Sequence, residues 1–149
     1  MTTQTPHILI LNGPNLNMLG LREPGLYGSQ TLADAEQAVT SRAVELGVEV
    51  EFVQSNYEGA LIDALHAGRT SADGVVINPG GLTHTSVSLR DAVLASELPM
   101  VEVHVSNVHA REEFRRHSYL SDIAIAVIAG AGIRGYVYGL ETVVAALRA

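Results

Sequence analysis

The feature that most constrains the fold is a regular alternation of short apolar runs with segments of helical periodicity. The apolar runs have the length and composition of strands buried in a parallel sheet; they are His7–Asn12, Val48–Gln54, Gly74–Asn78, Met100–Val105 and Ile123–Ala129. The helical segments are Leu32–Leu46, Glu58–His66, Ser86–Ser96 and Ile133–Arg148, with a short stretch at Ala110–Arg116. Strands that alternate with helices predict a parallel sheet covered on both faces.

Chain length fixes the number of domains. A chain of 149 residues with 47% hydrophobic content has room for one sizeable core and not for a second domain of ordinary size. Short, right-handed crossovers favour a three-layer, flavodoxin-like α/β fold, a five-stranded parallel sheet of strand order 2-1-3-4-5. We therefore expect a single domain spanning residues 1–149, with Met1–Thr5 disordered.

Composition excludes several classes of chemistry. The chain has no cysteine, which excludes disulfides, thiolate catalysis and cysteine-based metal sites. Its nine basic residues are all arginine, so Schiff-base enzymes and Walker phosphate loops, which need a lysine, are excluded. A net charge of −7 argues against nucleic-acid binding. The sequence contains neither an apolar run of about 18 residues nor an export signal, and we expect a cytoplasmic protein without a membrane partner.

Polar residues follow three of the predicted strands at their carboxyl ends. These segments are Asn12–Asn17, Asn78–Thr85 and Glu102–Asn107. In the predicted strand order the winding direction changes between strands 1 and 3, and parallel sheets bind ligands at that point. The three segments are therefore expected to line one pocket.

Two of these segments favour particular interactions. Asn78-Pro-Gly-Gly leads into a helix. One interpretation is that the backbone N–H groups at the start of this helix bind an anion or a polar ligand. The other is that the two glycines only allow a tight turn from strand to helix. Glu102 and His104 are two residues apart on a strand and face the same side, so the carboxylate would orient the imidazole and favour its charged form. The N–H groups at Ser106 are suited to a carboxylate.

Gly13–Gln30 is an irregular segment long enough to suggest a functional loop. It contains Arg22 and Tyr27, which are either solvated surface groups or parts of a lid. If the loop closes over the pocket, the guanidinium lowers the pKa of the phenol, and a tyrosinate is a strong base. The other tyrosines are interpreted as packing residues; they are Tyr57, Tyr119, Tyr136 and Tyr138.

Three long segments resemble the type II 3-dehydroquinate dehydratases. They are NGPNLNMLGLREPGLYG (12–28), INPGGLTHTSVSLRDA (77–92) and VEVHVSNVHAREEFRRHS (101–118). The resemblance implies a hydro-lyase of the shikimate pathway that converts 3-dehydroquinate to 3-dehydroshikimate. It implies that Tyr27 is the proton acceptor, stabilised by Arg22, and that His104, oriented by Glu102, is the proton donor.

The same resemblance implies further roles for individual residues. Asn15 would position water and the base, and Asn78 would hold the enolate oxygen. The remaining substrate-binding positions would be His84, Asp91, Val105, Ser106 and Arg115. It implies a homododecamer of four trimers, with Asp91 reaching a neighbouring subunit, and neither a cofactor nor a metal.

Two other classes of protein remain open on the residues alone. One is a non-catalytic flavodoxin-like binding module, against which stand the Asn-Gly-Pro-Asn after strand 1 and the lack of lysine. The other is a metal-dependent hydrolase that uses His84, His104 and Glu102 as ligands.

Overall fold

The computed structural model of the protein describes residues 4–21 and 29–149. Its parallel sheet consists of β1 (His7–Asn12), β2 (Glu49–Gln54), β3 (Gly74–Asn78), β4 (Met100–His104) and β5 (Ala126–Ala129). The strands lie in the order β2-β1-β3-β4-β5, and every pairing is parallel. The flavodoxin-like α/β fold and the strand order 2-1-3-4-5 are therefore confirmed.

Helices cover both faces of the sheet. They are α1 (Leu32–Leu46), α2 (Glu58–Ser71), α3 (Val87–Ser96) and α4 (Arg134–Leu147). Helices α1 and α4 pack together on one face, and α2 and α3 pack together on the other. The predicted start of α1 is confirmed, since the Thr31 hydroxyl and the Asp34 carboxylate cap each other's backbone N–H groups.

The layering fixes the site's position in the fold. The chain passes from β1 through α1 on one face to β2, and from β2 through α2 on the opposite face to β3. The winding direction thus changes between β1 and β3, whose last residues, Asn12 and Asn78, are paired in register. A crevice for a ligand is expected beyond these two carboxyl ends.

Several boundaries differ from the sequence expectations, and in two places the type of structure itself differs. Strand β5 begins at Ala126 rather than Ile123, because Ser121–Ile123 forms a 3-10 turn. The Ser118 hydroxyl accepts hydrogen bonds from the N–H groups of Leu120 and Ser121, which turns the chain before it can enter the sheet. The short stretch predicted as one helix is two separate 3-10 turns, Val108–Ala110 and Glu113–Arg116.

Helix α4 contacts the sheet at a glycine. A Cβ atom at Gly139 would lie 2.9 Å from Cγ1 of Val76 and 3.0 Å from Cγ2 of Val103, closer than a real Cβ approaches. Both valines are buried in the core, so they cannot easily move aside. Glycine at this position therefore allows the helix to rest directly on β3 and β4.

Some expectations fall outside the described residues. Arg22 and Tyr27 belong to this group, as does the part of the predicted disorder at Met1–Thr3. In residues 4–21 and 29–149, no helix combines the length and the apolar character needed to cross a membrane.

Candidate active site

A cleft with a volume of about 210 Å³ opens at the carboxyl ends of β1, β3 and β4. Its walls contain seven residues that the sequence placed there: Asn15, Asn78, His84, His104, Val105, Ser106 and Arg115. The three polar segments do converge, as the change in winding direction predicts. The cleft is suited in size to a small molecule rather than to a polymer.

Glu102 lies beneath the cleft, on β4, and is only 1% exposed. Its carboxylate contacts Nε2 of His104 at 2.5 Å. Three hydroxyl groups also contact the Glu102 carboxylate oxygens: Thr83 Oγ1 at 2.9 Å, Ser121 Oγ at 2.7 Å, and Ser118 Oγ at 3.0 and 3.1 Å. These five residues are called the carboxylate cluster below.

The carboxylate cluster holds a negative charge in a buried place. Burial by itself raises the pKa of the Glu102 carboxyl, but the hydrogen bonds from His104, Ser121 and Thr83 outweigh it, so the pKa is lowered. Ser118 contributes for a geometric reason. Its oxygen already accepts from two backbone N–H groups, so its single hydrogen is donated either to Glu102 or to Oγ1 of Thr83, which lies 2.6 Å away.

The contact with Glu102 also determines one proton on His104. A carboxylate only accepts hydrogen bonds, so Nε2, which faces it, carries a hydrogen. In the neutral ring Nδ1 is then the bare nitrogen. The carboxylate of Glu102 therefore sets the tautomer of His104.

His84 lies beside His104, with the two rings stacked at a centroid distance of 6.5 Å. Its Nδ1 donates to the backbone carbonyl of His117 at 2.7 Å, which leaves Nε2 as an acceptor. Burial, together with the nearby positive charges of His104 and Arg115, lowers the pKa of His84, although the His117 carbonyl opposes the shift. At neutral pH this ring is therefore uncharged and can accept a hydroxyl hydrogen.

A second buried cluster contains no charge. The Tyr136 hydroxyl of α4 donates to Oδ1 of Asn12 at 2.5 Å and accepts from Nδ2 of Asn78 at 2.9 Å. Oδ1 of Asn78 in turn accepts the N–H of Gly80 at 3.1 Å. The residues Asn12, Asn78, Gly80 and Tyr136 are called the amide cluster below.

The loops after β1 and β3 pack against each other through unusual backbone conformations. Asn15 has a φ of 70° and donates its N–H to the Asn56 side chain at 2.9 Å; asparagine is among the few residues that adopt this conformation readily. Gly80 has a φ of 60°, and a Cβ there would lie 2.9 Å from the Pro14 carbonyl oxygen. The glycine thus forms a tight turn, which was one of its two interpretations.

The far wall of the cleft carries the positive charge. Val105 and Ser106 follow β4, are buried, and present the first turn after the strand to the cleft. Arg111 and Arg115 line the same wall, and Nε of Arg115 donates to the Glu112 carboxylate at 2.6 Å. An anionic ligand would meet backbone N–H groups and guanidinium groups here.

One predicted substrate-binding residue lies away from the cleft, and two predicted catalytic residues fall outside the described part of the chain. Asp91 is exposed on α3 and is not part of the cleft wall within this single chain. Arg22 and Tyr27 lie outside the described residues. Across residues 4–21 and 29–149, no three acidic or histidine side chains are grouped so as to hold a metal ion.

Sequence reasoning missed several residues that build the site. Thr83, Ser118 and Ser121 were not singled out, although they supply hydroxyl groups to Glu102. Tyr136 was interpreted as a packing residue, yet its hydroxyl joins two strands. Two glycines one helical turn apart, Gly135 and Gly139, flank this tyrosine and indicate a helix face that touches the sheet.

Comparison with known proteins agrees with this geometry. The sequence model of the Dehydroquinase class II family matches residues 6–144. The chain is 65% identical to 3-dehydroquinate dehydratase 1 of Corynebacterium efficiens, over 92% of this chain and 91% of the relative. It is 58% identical to the catabolic 3-dehydroquinase of Pyricularia oryzae, over 100% and 96% of the two chains.

A solved structure matches as well. The type II dehydroquinase of Butyrivibrio crossotus superimposes with a TM-score of 0.90 at 40% identity, covering 93% of this chain and 97% of that one. The family match, the identities and the shared fold all lead to one conclusion. The chain belongs to the class II dehydroquinases, hydro-lyases of the shikimate pathway that act on 3-dehydroquinate.

Proposed function

We propose that the reaction is a stepwise elimination in which Tyr27 is the base and His104 the acid. The Tyr27 tyrosinate removes a proton from the carbon beside the ketone of 3-dehydroquinate, and an enolate forms. Arg22, on the same predicted lid, stabilises the tyrosinate and the developing enolate. Loss of the hydroxyl group, protonated by His104, gives 3-dehydroshikimate and water.

The observation that carries this proposal is the contact of 2.5 Å between His104 in the cleft wall and Glu102 beneath it. With Nε2 committed to the carboxylate, the transferable proton of the imidazolium sits on Nδ1. A hydroxide ion is a poor leaving group, so an acid that operates near neutral pH suits the second step. Glu102 orients this acid and stabilises its charged form.

The enolate oxygen needs dipoles that are already in place, because the elimination forms no covalent link to the enzyme. We assign this role to Asn78, acting through its side-chain N–H and a positioned water. Asn15, whose backbone is held by Asn56, positions that water and the base. Both residues line the cleft, on opposite sides of the change in winding direction.

The rest of the substrate binds along the far wall. We assign its carboxylate to the backbone N–H groups at Val105 and Ser106. Its ring hydroxyls are assigned to His84 and Arg115, both of which line the cleft. The bare Nε2 of His84 suits a hydroxyl donor, since its Nδ1 hydrogen is used by His117.

The proposal includes assembly into a homododecamer of four trimers, located in the cytoplasm. The exposed apolar side chains of Val87 and Leu94, 52% exposed each on α3, support burial of this helix between subunits. Asp91 lies on the same helix and would reach the cleft of a neighbouring subunit. Light scattering is expected to give twelve times the chain mass of 15.8 kDa, and a monomer would contradict this part.

The test of the reaction is to add 3-dehydroquinate and follow the absorbance of the conjugated enone product. The wild-type protein should form it, and Tyr27→Phe should form almost none while still binding the substrate. Tyr57→Phe is the matched control, because that side chain is 79% exposed and does not line the cleft. Full activity in Tyr27→Phe would rule out the assigned base.

A further inference from the structure

Tyr136 is fully buried, yet its hydroxyl lies among polar groups at the end of the sheet. The residue sits on α4, which Gly139 allows to rest directly on β3 and β4. From there the phenol contacts the side chains of Asn12 on β1 and Asn78 on β3. The ring is 1% exposed, and burial raises its pKa far above the ordinary value, so the hydroxyl keeps its hydrogen.

The directions of these hydrogen bonds follow from chemistry alone. The N–H of Gly80 only donates, so the atom of Asn78 that receives it is Oδ1. The amide nitrogen of Asn78 therefore faces Tyr136 and donates to it, and the phenol passes its single hydrogen to Asn12. Nδ2 carries two hydrogens, and the second remains for the cleft that Asn78 lines.

We propose that Tyr136 is a positioning residue for the reaction: it fixes the Asn78 amide so that one N–H of Nδ2 is presented to the oxygen of the enolate or its bound water. The inference rests on the role proposed above for Asn78. Without the phenol, Asn78 would be held only through Gly80, and its amide plane could turn about that contact. The N–H would then be poorly placed when negative charge develops in the transition state.

The test removes the single oxygen with Tyr136→Phe and measures kcat and KM with 3-dehydroquinate. Deleting a donor to a developing oxyanion costs about a hundredfold to a thousandfold in kcat, and disorienting it should cost about tenfold to a hundredfold. The KM should change little, since the carboxylate and ring hydroxyls bind elsewhere. Asn12→Ala, which leaves the phenol in place but frees its hydrogen, should show a smaller loss of kcat.

Two control variants separate positioning from stability. Tyr138→Phe deletes a phenol hydroxyl on the same helix at a side chain that is 40% exposed. Val143→Ala creates a cavity under the same helix at a fully buried residue without polar contacts. We expect Val143→Ala to lower Tm and keep kcat, and Tyr138→Phe to change neither.

A double-mutant cycle with Asn78→Ala identifies the path of the effect. If Tyr136 acts through Asn78, Tyr136→Phe should reduce kcat little further once Asn78 is alanine. An independent, multiplicative loss, or a Tyr136→Phe enzyme that loses only Tm, would overturn the positioning role. If Tyr136→Phe does not fold, the same cycle is run with Asn12→Ala.

The same variants distinguish failure of the inference from failure of the proposed function. A normal kcat in Asn78→Ala would remove the assigned role of Asn78 and the positioning role with it. A low kcat in Asn78→Ala with a normal kcat in Tyr136→Phe would overturn the positioning role alone. Neither result changes the conclusion drawn from Tyr27→Phe, because that variant tests the proposed base rather than Asn78.

Discussion

The carboxylate cluster and the amide cluster are both buried at the carboxyl edge of the sheet, but the first contains a charged group and the second only neutral groups. Around Glu102, three hydroxyl side chains and an imidazole lie within hydrogen-bond distance of one negatively charged carboxylate. Around Tyr136, two neutral amides and the phenol are joined by hydrogen bonds, each with a single donor and a single acceptor. Each buried side-chain nitrogen and oxygen in the described part of the chain has a partner.

The difference would match two needs of the proposed elimination. In that proposal the carboxylate cluster supports His104, whose charge changes during the reaction. The amide cluster supports a dipole that must stay still, and none of its members titrates in the working range. Four experiments, given in order of expected effect, test whether the two clusters divide the work in this way.

Replacing His104, the proposed proton donor, should have the largest effect on activity. His104→Gln keeps a polar side chain of similar size but cannot release a proton, so kcat should fall by about 10²- to 10⁴-fold. Initial rates of enone formation measure this loss. His66→Gln, on the exposed side of α2, is the matched control and should keep full activity. A change in KM alone would contradict the acid role.

Placing a charge in the amide cluster should damage the fold rather than the chemistry alone. Asn12→Asp puts a carboxyl beside the Tyr136 oxygen, with no cationic side chain among its hydrogen-bond partners. We expect a loss of about 3 kcal/mol in the free energy of unfolding at pH 7, measured by urea titration. Asn107→Asp is the control, since its side chain caps a turn from an exposed position where Asp serves equally well. Equal stability of the two variants would show that the amide cluster tolerates charge.

Acid should weaken the carboxylate cluster selectively. The folded pKa of Glu102 is lowered from its ordinary value of 4.5, so its contribution to stability is present above that value and is lost as pH falls through the folded pKa. Urea titrations between pH 7 and 3 should therefore show a shallower loss of stability in Glu102→Gln than in the wild type. Glu113→Gln, at an exposed position, should follow the wild-type slope. Parallel curves for wild type and Glu102→Gln would mean that this carboxylate is not stabilised by its donors.

The smallest effect concerns His84, whose ring stacks beside that of His104. Its pKa should lie below the ordinary 6.5, and its Nδ1 should carry the hydrogen of the neutral ring. Nitrogen chemical shifts of the ring, recorded across pH 5 to 8, measure both. A pKa at or above 6.5 would indicate that the negative charge of Glu102 outweighs burial at His84. The electrostatic effect of the carboxylate cluster would then extend beyond its own members.

The sequence predicted the sheet because periodicity is a local property. Strand β1 has the predicted bounds, and the edge strand β2 shows the alternation expected of one, differing by a single residue at its start. The convergence of Asn78, His84 and His104 also followed, since parallel strands bring their carboxyl ends to one edge.

The parts that were not predicted depend on tertiary contacts. Ser118 has no local signal, because an isolated serine is typical of a surface residue. The glycines beside Tyr136 indicate that its helix touches the sheet, but not that its hydroxyl forms hydrogen bonds there. The bond between Tyr136 and Asn12 joins residues 124 positions apart. The resemblance to a family supplied the roles of Arg22 and Tyr27, and those roles stay predictions, since both residues lie outside the described part of the chain.

That long-range bond has a consequence for how activity arises during synthesis. The ribosome makes Asn12 near the beginning and Tyr136 near the end, so a nascent chain can complete its first strand long before its amide acquires a partner. If Tyr136 positions Asn78 as proposed, the chain acquires full activity last, when the final helix docks. Measured activity would therefore come from full-length chains and not from partly synthesised ones.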